Sequence, residues 1–147
     1  MKKRVLFLCT HNSARSQMAE GLLRNLAGDR FEVFSAGTEE TRVHPLAIEA
    51  MRETGIDIRA HRSKTLDAFP GEHFDYAVTV CDRANESCPI FPGATERIHW
   101  SFDDPSAVTG TEEERRRAFA LVRDAIQNRL RMFVTVTAGS DKPPAER

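Results

Sequence analysis

The stretch of residues 5–16 constrains the fold of this chain more than any other. Its apolar part, residues 5–9, predicts a buried strand that ends in Cys9, and a helical pattern begins at Arg15. A loop between a strand and a helix N-terminus presents backbone N–H groups that converge on a bound anion. These N–H groups, the positive helix end and the Arg15 guanidinium all favour a thiolate at Cys9. We therefore predict that a reactive sulfur and a bound oxyanion share one site.

The residue types in this loop suit such chemistry. The planar guanidinium of Arg15 matches two oxygens of an anion held over Cys9. The Ser16 hydroxyl can donate a hydrogen bond to the thiolate, and Asn12 tolerates the left-handed backbone that converging N–H groups require. His11 is predicted to be a loop residue without a chemical role. The predicted oxyanion-binding loop consists of Thr10, His11, Asn12, Ser13, Ala14, Arg15 and Ser16.

Short apolar runs alternate with helical patterns along the chain, which predicts an α/β fold. Such alternation gives a parallel sheet, here of four strands flanked by helices, and ligands lie beyond the carboxyl ends of its strands. Cys9 and Cys81 both fall at predicted strand ends, so the two thiols are expected on one rim. The predicted strands are residues 5–9, 31–36, 76–81 and 97–100.

Four helices are predicted between and after these strands. The first buries a stripe that includes Leu26, the second begins at Pro45, and a short one lies within residues 65–69. A capping box of Thr111 and Glu114 starts the last helix, whose predicted buried stripe is Phe119, Val122, Ile126, Leu130 and Phe133. One domain is predicted over residues 1–136, and a composition rich in Ala, Gly, Ser, Lys and Pro predicts a disordered tail over 137–147.

Charge and cysteine content narrow the possible partners. A net charge of −1 disfavours nucleic acid and anionic membrane as partners, and no stretch is long enough to span a membrane. The three widely spread cysteines, Cys9, Cys81 and Cys88, suit a reducing compartment better than a static disulfide framework, and their spacing does not suit zinc. The sequence therefore predicts a cytoplasmic protein without a metal site.

A cysteine followed after five residues by Arg-Ser, directly after a strand, resembles the low-molecular-weight protein tyrosine phosphatases. The longer text CTHNSARSQMAEG, residues 9–21, resembles the arsenate reductases built on the same fold. Taken together, these motifs identify the chain as a member of the thioredoxin-coupled arsenate reductases. Further matches are Ser35-Ala36-Gly37, His44-Pro45, Cys81 with Cys88-Pro89, and Phe102-Asp103-Asp104-Pro105.

The resemblance implies that three thiols reduce arsenate to arsenite. Cys9 attacks arsenate while Asp104 protonates the departing oxygen, and Cys81 then attacks the Cys9 sulfur to form a Cys9–Cys81 disulfide. Cys88 next attacks Cys81, giving a Cys81–Cys88 disulfide and freeing Cys9, since a stabilised thiolate leaves faster. The polar segment 82–87 is expected to rearrange so that these sulfurs meet. Thioredoxin is the implied external reductant, no cofactor is bound, and phosphate or sulfate competes with arsenate.

One position departs from the family pattern. In potassium-binding members of the reductases, an Asn, a Glu, a Ser and an Asp hold the ion near the loop. Asn12, Glu20 and Ser35 match the first three ligands, but Lys64 stands in the place of the Asp. Because an ammonium group repels a cation and can itself pair with Glu20, we predict that this chain has no potassium site.

Three other interpretations of the sequence remain open. A phosphatase that hydrolyses phosphomonoesters needs only Cys9, Arg15 and Asp104, although the tyrosines of the tyrosine phosphatases are missing after Asp104. A small thiol such as glutathione or mycothiol would make Cys81 and Cys88 dispensable in arsenate reduction. A protein that sequesters arsenite or zinc with three thiols would leave Arg15 and its loop unexplained.

Overall fold

The computed structural model describes residues 2–82 and 86–138 and has the predicted α/β fold. Four parallel strands form one sheet in the order β2-β1-β3-β4, flanked by helices. The strands are β1 (Lys3–Cys9), β2 (Phe31–Gly37), β3 (Phe74–Thr79) and β4 (Ala94–His99). The helices are α1 (Arg15–Ala27), α2 (Pro45–Arg52) and α3 (Glu112–Ala138), and short 3₁₀ turns lie at Leu66–Ala68 and Pro105–Ala107.

Strand β1 lies between β2 and β3 and carries the loop of the predicted site at its carboxyl end. It pairs with β2 along its whole length, from Lys3 opposite Phe31 to Cys9 opposite Gly37. Residues 5–9 are all buried, and alternate side chains enter two different apolar clusters on the two faces of the sheet. A strand buried on both faces needs a continuous apolar run, which is the pattern that predicted it.

Helices α2 and α3 begin where their sequences provide caps. His44 caps α2 by accepting a hydrogen bond from the N–H of Leu46, and Pro45 occupies the first turn. At the start of α3, the Thr111 hydroxyl accepts from the N–H of Glu114, whose carboxylate accepts from the N–H of Thr111. The predicted capping box is therefore confirmed. Buried side chains of α3 face the sheet and α1, and the predicted stripe is confirmed, with Val122 partly buried.

Two strands are displaced from their predicted positions. Strand β3 begins at Phe74 and ends at Thr79, so the predicted window of 76–81 was two residues late. Asp75 interrupts the apolar run but belongs to the strand, and its carboxylate accepts a hydrogen bond from the backbone N–H of Arg4 at 2.7 Å. Strand β4 covers Ala94–His99 rather than 97–100. The start of the strand was not predicted because its polar residues are exposed and form no apolar run. Cys81 thus lies just beyond β3.

Two predictions at helix ends were wrong. Leu26 is 41% exposed because Ala27, one residue further round α1, turns into the core instead. Helix α3 runs to Ala138, so residues 137 and 138 are helical rather than part of a tail, and the Thr137 hydroxyl donates to the carbonyl of Phe133. The rest of the predicted tail, residues 139–147, lies outside the described residues. Among the described helices, none combines the length and apolar character needed to cross a membrane.

Candidate active site

The loop after β1 is shaped by the side chain of Asn12. Asn12 adopts a left-handed backbone with φ of 49°, as predicted, and its side chain is fully buried. Its side-chain amide oxygen accepts hydrogen bonds from the backbone N–H of Lys64 and from the side-chain amide of Gln17, each at 2.9 Å. These two donors fix the amide so that its N–H group points to the Ser16 hydroxyl at 2.8 Å. The loop is therefore held from inside by one amide.

Gly37 at the end of β2 supports the same loop from behind. A Cβ atom on Gly37 would lie 2.7 Å from the carbonyl oxygen of Thr10 and 2.8 Å from the backbone nitrogen of Asn12. No side chain fits such a gap, since both neighbours are backbone atoms. The Thr10 carbonyl also accepts a hydrogen bond from the backbone N–H of Thr38 at 2.9 Å. Strand β2 thus fixes the distance between the loop and the sheet.

Cys9 is 2% exposed, and its sulfur lies 2.8 Å from the Ser16 hydroxyl oxygen. Because Asn12 already donates to that oxygen, the hydroxyl proton of Ser16 is available to the sulfur. This contact is the one that the sequence predicted for Ser16.

The guanidinium of Arg15 is 3% exposed and lies at the mouth of the loop. It donates to both carboxylate oxygens of Glu86 at 2.5 Å and to the carbonyl of Phe102 at 3.1 Å, and Asp104 lies 3.8 Å away. Burial opposes its positive charge, but the hydrogen bonds to Glu86 and the nearby charges of Cys9, Glu86 and Asp104 outweigh burial, so the pKa of Arg15 is raised. Arg15 therefore stays cationic beside Cys9.

Glu86 is a site residue that the sequence analysis did not single out. One of its carboxylate oxygens also accepts from the Thr10 hydroxyl at 3.2 Å, and the other accepts from the backbone N–H of Asp82 at 2.9 Å. The hydrogen bonds from Arg15 lower the pKa of Glu86; burial opposes them, while Asp82 and Thr10 add to them. Glu86 is thus an anion bound on the loop. The sequence feature that could have indicated this role is a carboxylate two residues before Cys88.

Asp104 lies beside Arg15, at the start of the 3₁₀ turn Pro105–Ala107. One carboxylate oxygen accepts hydrogen bonds from the backbone N–H and the hydroxyl of Ser106, at 2.9 and 2.6 Å, while the other faces Arg15. A cavity of about 10 Å³ separates Asp104 from the sulfur. Its lining consists of Cys9, His11, Ser13, Ala14, Arg15, Asp104 and Ser106.

The remaining loop residues have structural contacts. The imidazole of His11 is exposed and lies 3.1 Å from the carboxylate of Glu39. The carbonyl of Ser13 accepts from the backbone N–H of His44 at 2.9 Å, which joins the loop to the start of α2. Ala14 is buried at the start of α1. Of the seven predicted loop residues, His11, Ser13, Ala14 and Arg15 line the cavity.

The two distal cysteines form a disulfide, and Cys9 is a free thiol. Cys81 and Cys88 are bonded with a Cα–Cα distance of 6.1 Å. Cys9 and Cys81 are buried in the same apolar cluster, and the partly buried Cys88 packs against it. The Cys9–Cys81 disulfide stays a prediction. Residues 83–85, part of the segment predicted to rearrange, lie outside the described residues.

Lys64 extends toward the acidic group behind the loop. Its ammonium nitrogen is 3.8 Å from the carboxylate of Glu20 and 3.5 Å from the hydroxyl of Ser35, which donates to Glu20 at 2.6 Å. Burial lowers the pKa of Lys64, although the charge of Glu20 counteracts it. The predicted pairing of Lys64 with Glu20 is confirmed.

Comparison with known proteins assigns this chain to a family. The low molecular weight phosphotyrosine protein phosphatase family matches residues 4–141 of this chain. The chain belongs to this family. Arsenate reductase from Halalkalibacterium halodurans is 47% identical over 132 residues, which are 90% of this chain and 95% of the relative. Arsenate reductase from Bacillus subtilis is 47% identical over 131 residues, 89% of this chain and 94% of the relative.

Solved structures of two arsenate reductases have the same fold. An arsenate reductase in the phosphate binding state has a TM-score of 0.78 at 31% identity, over 91% of this chain and 98% of that one. A thioredoxin-dependent arsenate reductase from Corynebacterium glutamicum has a TM-score of 0.71 at 29% identity, over 95% of this chain and 64% of that one. The predicted phosphatase-like fold is confirmed.

Proposed function

We propose that the protein reduces arsenate to arsenite, with Cys9 as the nucleophile and Cys81 and Cys88 as resolving thiols. The observation that carries this proposal is a Cys81–Cys88 disulfide in the same apolar cluster as a free Cys9 on the oxyanion loop. Hydrolysis at Cys9 would need only water, whereas reduction of arsenic needs two electrons, which two thiols supply when they form a disulfide. The relatives named arsenate reductase support the same activity.

In the first step, the Cys9 thiolate attacks arsenic and an arsenic–sulfur bond forms. The oxyanion binds to the loop N–H groups and to the fork of Arg15, which matches two of its oxygens. Asp104, on the other side of the cavity, supplies a proton to the departing hydroxyl, which leaves as water. The Ser16 hydroxyl stabilises the thiolate before the attack.

In the second step, arsenic is reduced. The Cys81 thiolate attacks the sulfur of Cys9, a sulfur–sulfur bond forms, and the sulfur–arsenic bond breaks. The electron pair of the broken bond stays on arsenic, which passes from As(V) to As(III) and leaves as arsenite. Cys88 then attacks Cys81, and Cys9 departs as the stabilised thiolate. The thiols have then lost two electrons and arsenic has gained two.

Thioredoxin is proposed as the dithiol that reduces the Cys81–Cys88 disulfide. Cys88 is partly exposed, and its neighbours Ser87 and Ile90 are exposed, so an external dithiol has access to this side of the bond. The thioredoxin-dependent relative from Corynebacterium glutamicum supports this choice over a small thiol. The cytoplasmic location predicted from the cysteine content is retained as part of this proposal.

A second activity, hydrolysis of phosphomonoesters, is favoured by family membership and by the Cys9, Arg15 and Asp104 geometry. The loop recognises the shape and charge that phosphate shares with arsenate. We therefore propose phosphate as a competing ligand and a slow phosphatase activity as a side reaction.

The decisive experiment measures arsenate-dependent NADPH oxidation with thioredoxin and thioredoxin reductase. We expect multiple turnovers for the wild type, none for Cys9→Ser, and at most one turnover for Cys88→Ser. Hydrolysis of para-nitrophenyl phosphate is measured alongside and is expected to survive Cys88→Ser but not Cys9→Ser. Multiple arsenate turnovers by Cys88→Ser would contradict the three-thiol relay and favour resolution by an external thiol.

A further inference from the structure

The carboxylate of Glu86 lies where the loop is built to hold an oxyanion. Its two oxygens accept hydrogen bonds from both terminal nitrogens of Arg15 at 2.5 Å, in the bidentate arrangement that suits a phosphate-like anion. The Thr10 hydroxyl adds a third donor at 3.2 Å. The Glu86 side chain is only 15% exposed. Glu86 is therefore an internal anion on the fork of Arg15.

The chain holds Glu86 there from inside the disulfide loop. Glu86 lies between Cys81 and Cys88, and its backbone N–H donates to the carbonyl of Asp82 at 2.8 Å. The N–H of Asp82 donates back to the Glu86 carboxylate at 2.9 Å. Cys81 is fully buried, so the disulfide anchors this short closed turn to the core. Glu86 thus reaches Arg15 from within the loop that the disulfide closes.

Glu86 and an oxyanion cannot occupy the site together. The planar fork of Arg15 accommodates one bidentate anion, and two anions on it would repel each other. The cavity that remains above Cys9 has a volume of about 10 Å³, which is about the space of one water molecule. An anion with four oxygen atoms exceeds this space, and Glu86 already occupies both terminal nitrogens of Arg15.

We propose that Glu86 closes the oxyanion site of the disulfide form by occupying Arg15 in place of the substrate. The proposal rests on the proposed function only in that turnover is what produces the Cys81–Cys88 disulfide. Thioredoxin reduction returns two thiols to the protein and oxidises the two thiols of thioredoxin, and it removes the covalent restraint on Glu86. The oxidised enzyme is then protected from binding a new oxyanion before its thiols are restored.

The test measures the dissociation constant of inorganic phosphate by isothermal titration calorimetry in both redox states of the full chain. Phosphate binds the loop but cannot be reduced, so arsenate turnover does not enter the result. The oxidised form is prepared so that peptide mass spectrometry finds Cys81 bonded to Cys88 and Cys9 as a free thiol. The wild type, Glu86→Gln and Glu86→Ala are compared. The exposed Glu40 supplies Glu40→Gln, which makes the same change of charge away from Arg15.

We expect the wild type to bind phosphate at least about tenfold more weakly when oxidised than when reduced, since a bidentate charged pair must break. The ratio of the two constants should fall below about threefold in both Glu86 variants and keep its wild-type value in Glu40→Gln. Thermal unfolding shows that each variant is folded. Equal affinities in the two wild-type states would overturn the proposal, as would an unchanged ratio in Glu86→Gln and Glu86→Ala. A failure of arsenate reduction would leave these binding constants unaffected, so the two proposals fail separately.

Discussion

Arg15 is held in place by groups from two distant parts of the chain. Its guanidinium contacts the carboxylate of Glu86 after β3 and the carbonyl of Phe102 after β4, and Asp104 lies 3.8 Å away. These contacts keep the planar group fixed at the mouth of the loop, where it is 3% exposed. A fixed, desolvated fork binds a tetrahedral anion with two parallel hydrogen bonds.

Arg15→Lys is expected to weaken phosphate binding by the reduced protein about tenfold to a hundredfold, because one bidentate charged pair contributes about 1.5–3 kcal/mol. Lysine keeps the charge but not the planar fork. Calorimetric titration with phosphate measures the effect. An affinity within about twofold of the wild type would contradict a bidentate role for Arg15.

Lys64 supplies a positive charge behind the loop. Its ammonium lies close to Glu20 and Ser35, and its backbone N–H donates to Asn12, so one residue contacts both the acidic group and the loop. A metal cation bound beside Glu20 and Ser35 would be repelled by the ammonium group of Lys64.

We expect arsenate affinity of the wild type to be the same in potassium and in sodium at equal ionic strength, since Lys64 and Arg24 both pair with the carboxylate of Glu20 and the ammonium of Lys64 also faces Ser35. The measurement is KM for arsenate in the coupled assay with the two salts. Lys64→Asp removes the ammonium and is expected to make KM sensitive to potassium. A marked preference of the wild type for potassium would show that Lys64 does not prevent cation binding.

At the scale of elements, the N-cap residue of helix α2 is a neutral histidine, His44. The ring of His44 packs on Phe119 of α3 with 4.6 Å between ring centroids, and its Nδ1 accepts the N–H of Leu46. Burial and the charge of Arg115 lower the pKa of His44, although Asp104 counteracts them. Protonation would remove the acceptor and so destabilise the first turn of α2.

The pH dependence of stability follows from this lowered pKa. Below the ordinary value of 6.5, the unfolded chain binds a proton at His44 that the folded chain resists, so stability is full above pH 6.5 and falls as pH drops toward the folded pKa. His44→Asn keeps a capping acceptor without this titration. Urea unfolding between about pH 7.5 and pH 5.5 should show a smaller loss of stability in His44→Asn than in the wild type. His61, whose pKa is also lowered, is present in both proteins, so equal losses would refute the role of His44.

At the scale of the whole molecule, Phe133 joins α3 to the sheet. Its ring lies 5.5 Å from Phe31 of β2, 5.1 Å from Tyr76 of β3 and 5.7 Å from Trp100 just after β4. One buried side chain of α3 therefore packs against residues of β2 and β3 and against the residue that follows β4. The long helix is stabilised mainly by this packing, because its opposite face is exposed.

Phe133→Ala should lower the free energy of unfolding by about 3–5 kcal/mol, since it leaves a cavity among three aromatic rings. Met132→Ala, at the neighbouring 61% exposed position, is the matched control and should change it by less than about 0.5 kcal/mol. Urea unfolding gives both values. Similar losses in the two variants would mean that α3 is not anchored through Phe133.

Much of the fold was predictable because the signals are local. The apolar run of β1 and the capping box of α3 depend on neighbours in sequence, and both were predicted correctly. The errors arose where distant residues decide. Asp75 is tolerated in β3 because Arg4 of the adjacent strand donates to it, and Leu26 is exposed because Ala27 occupies the space next to the core.

The contacts of the candidate active site likewise divide into local ones, which could be predicted, and distant ones, which could not. Contacts within the loop, such as Cys9 with Ser16 and Asn12 with Ser16, join residues at most seven positions apart. The residue types alone pointed to the contact of Cys9 with Ser16 and to the left-handed backbone of Asn12. The pair of Arg15 and Glu86 spans 71 positions, and no local pattern indicates it.

The sequence by itself determined a strand that ends in a cysteine, a loop suited to an oxyanion, and two further thiols. Only the tertiary structure decided that Arg15 faces the carboxylate of Glu86 and that this carboxylate lies inside a disulfide loop. The physical reason is the sheet order, which sets β3 beside β1 and so brings the segment after β3 over the loop after β1. Local propensity forms each strand, but the packing of strands decides which charges meet.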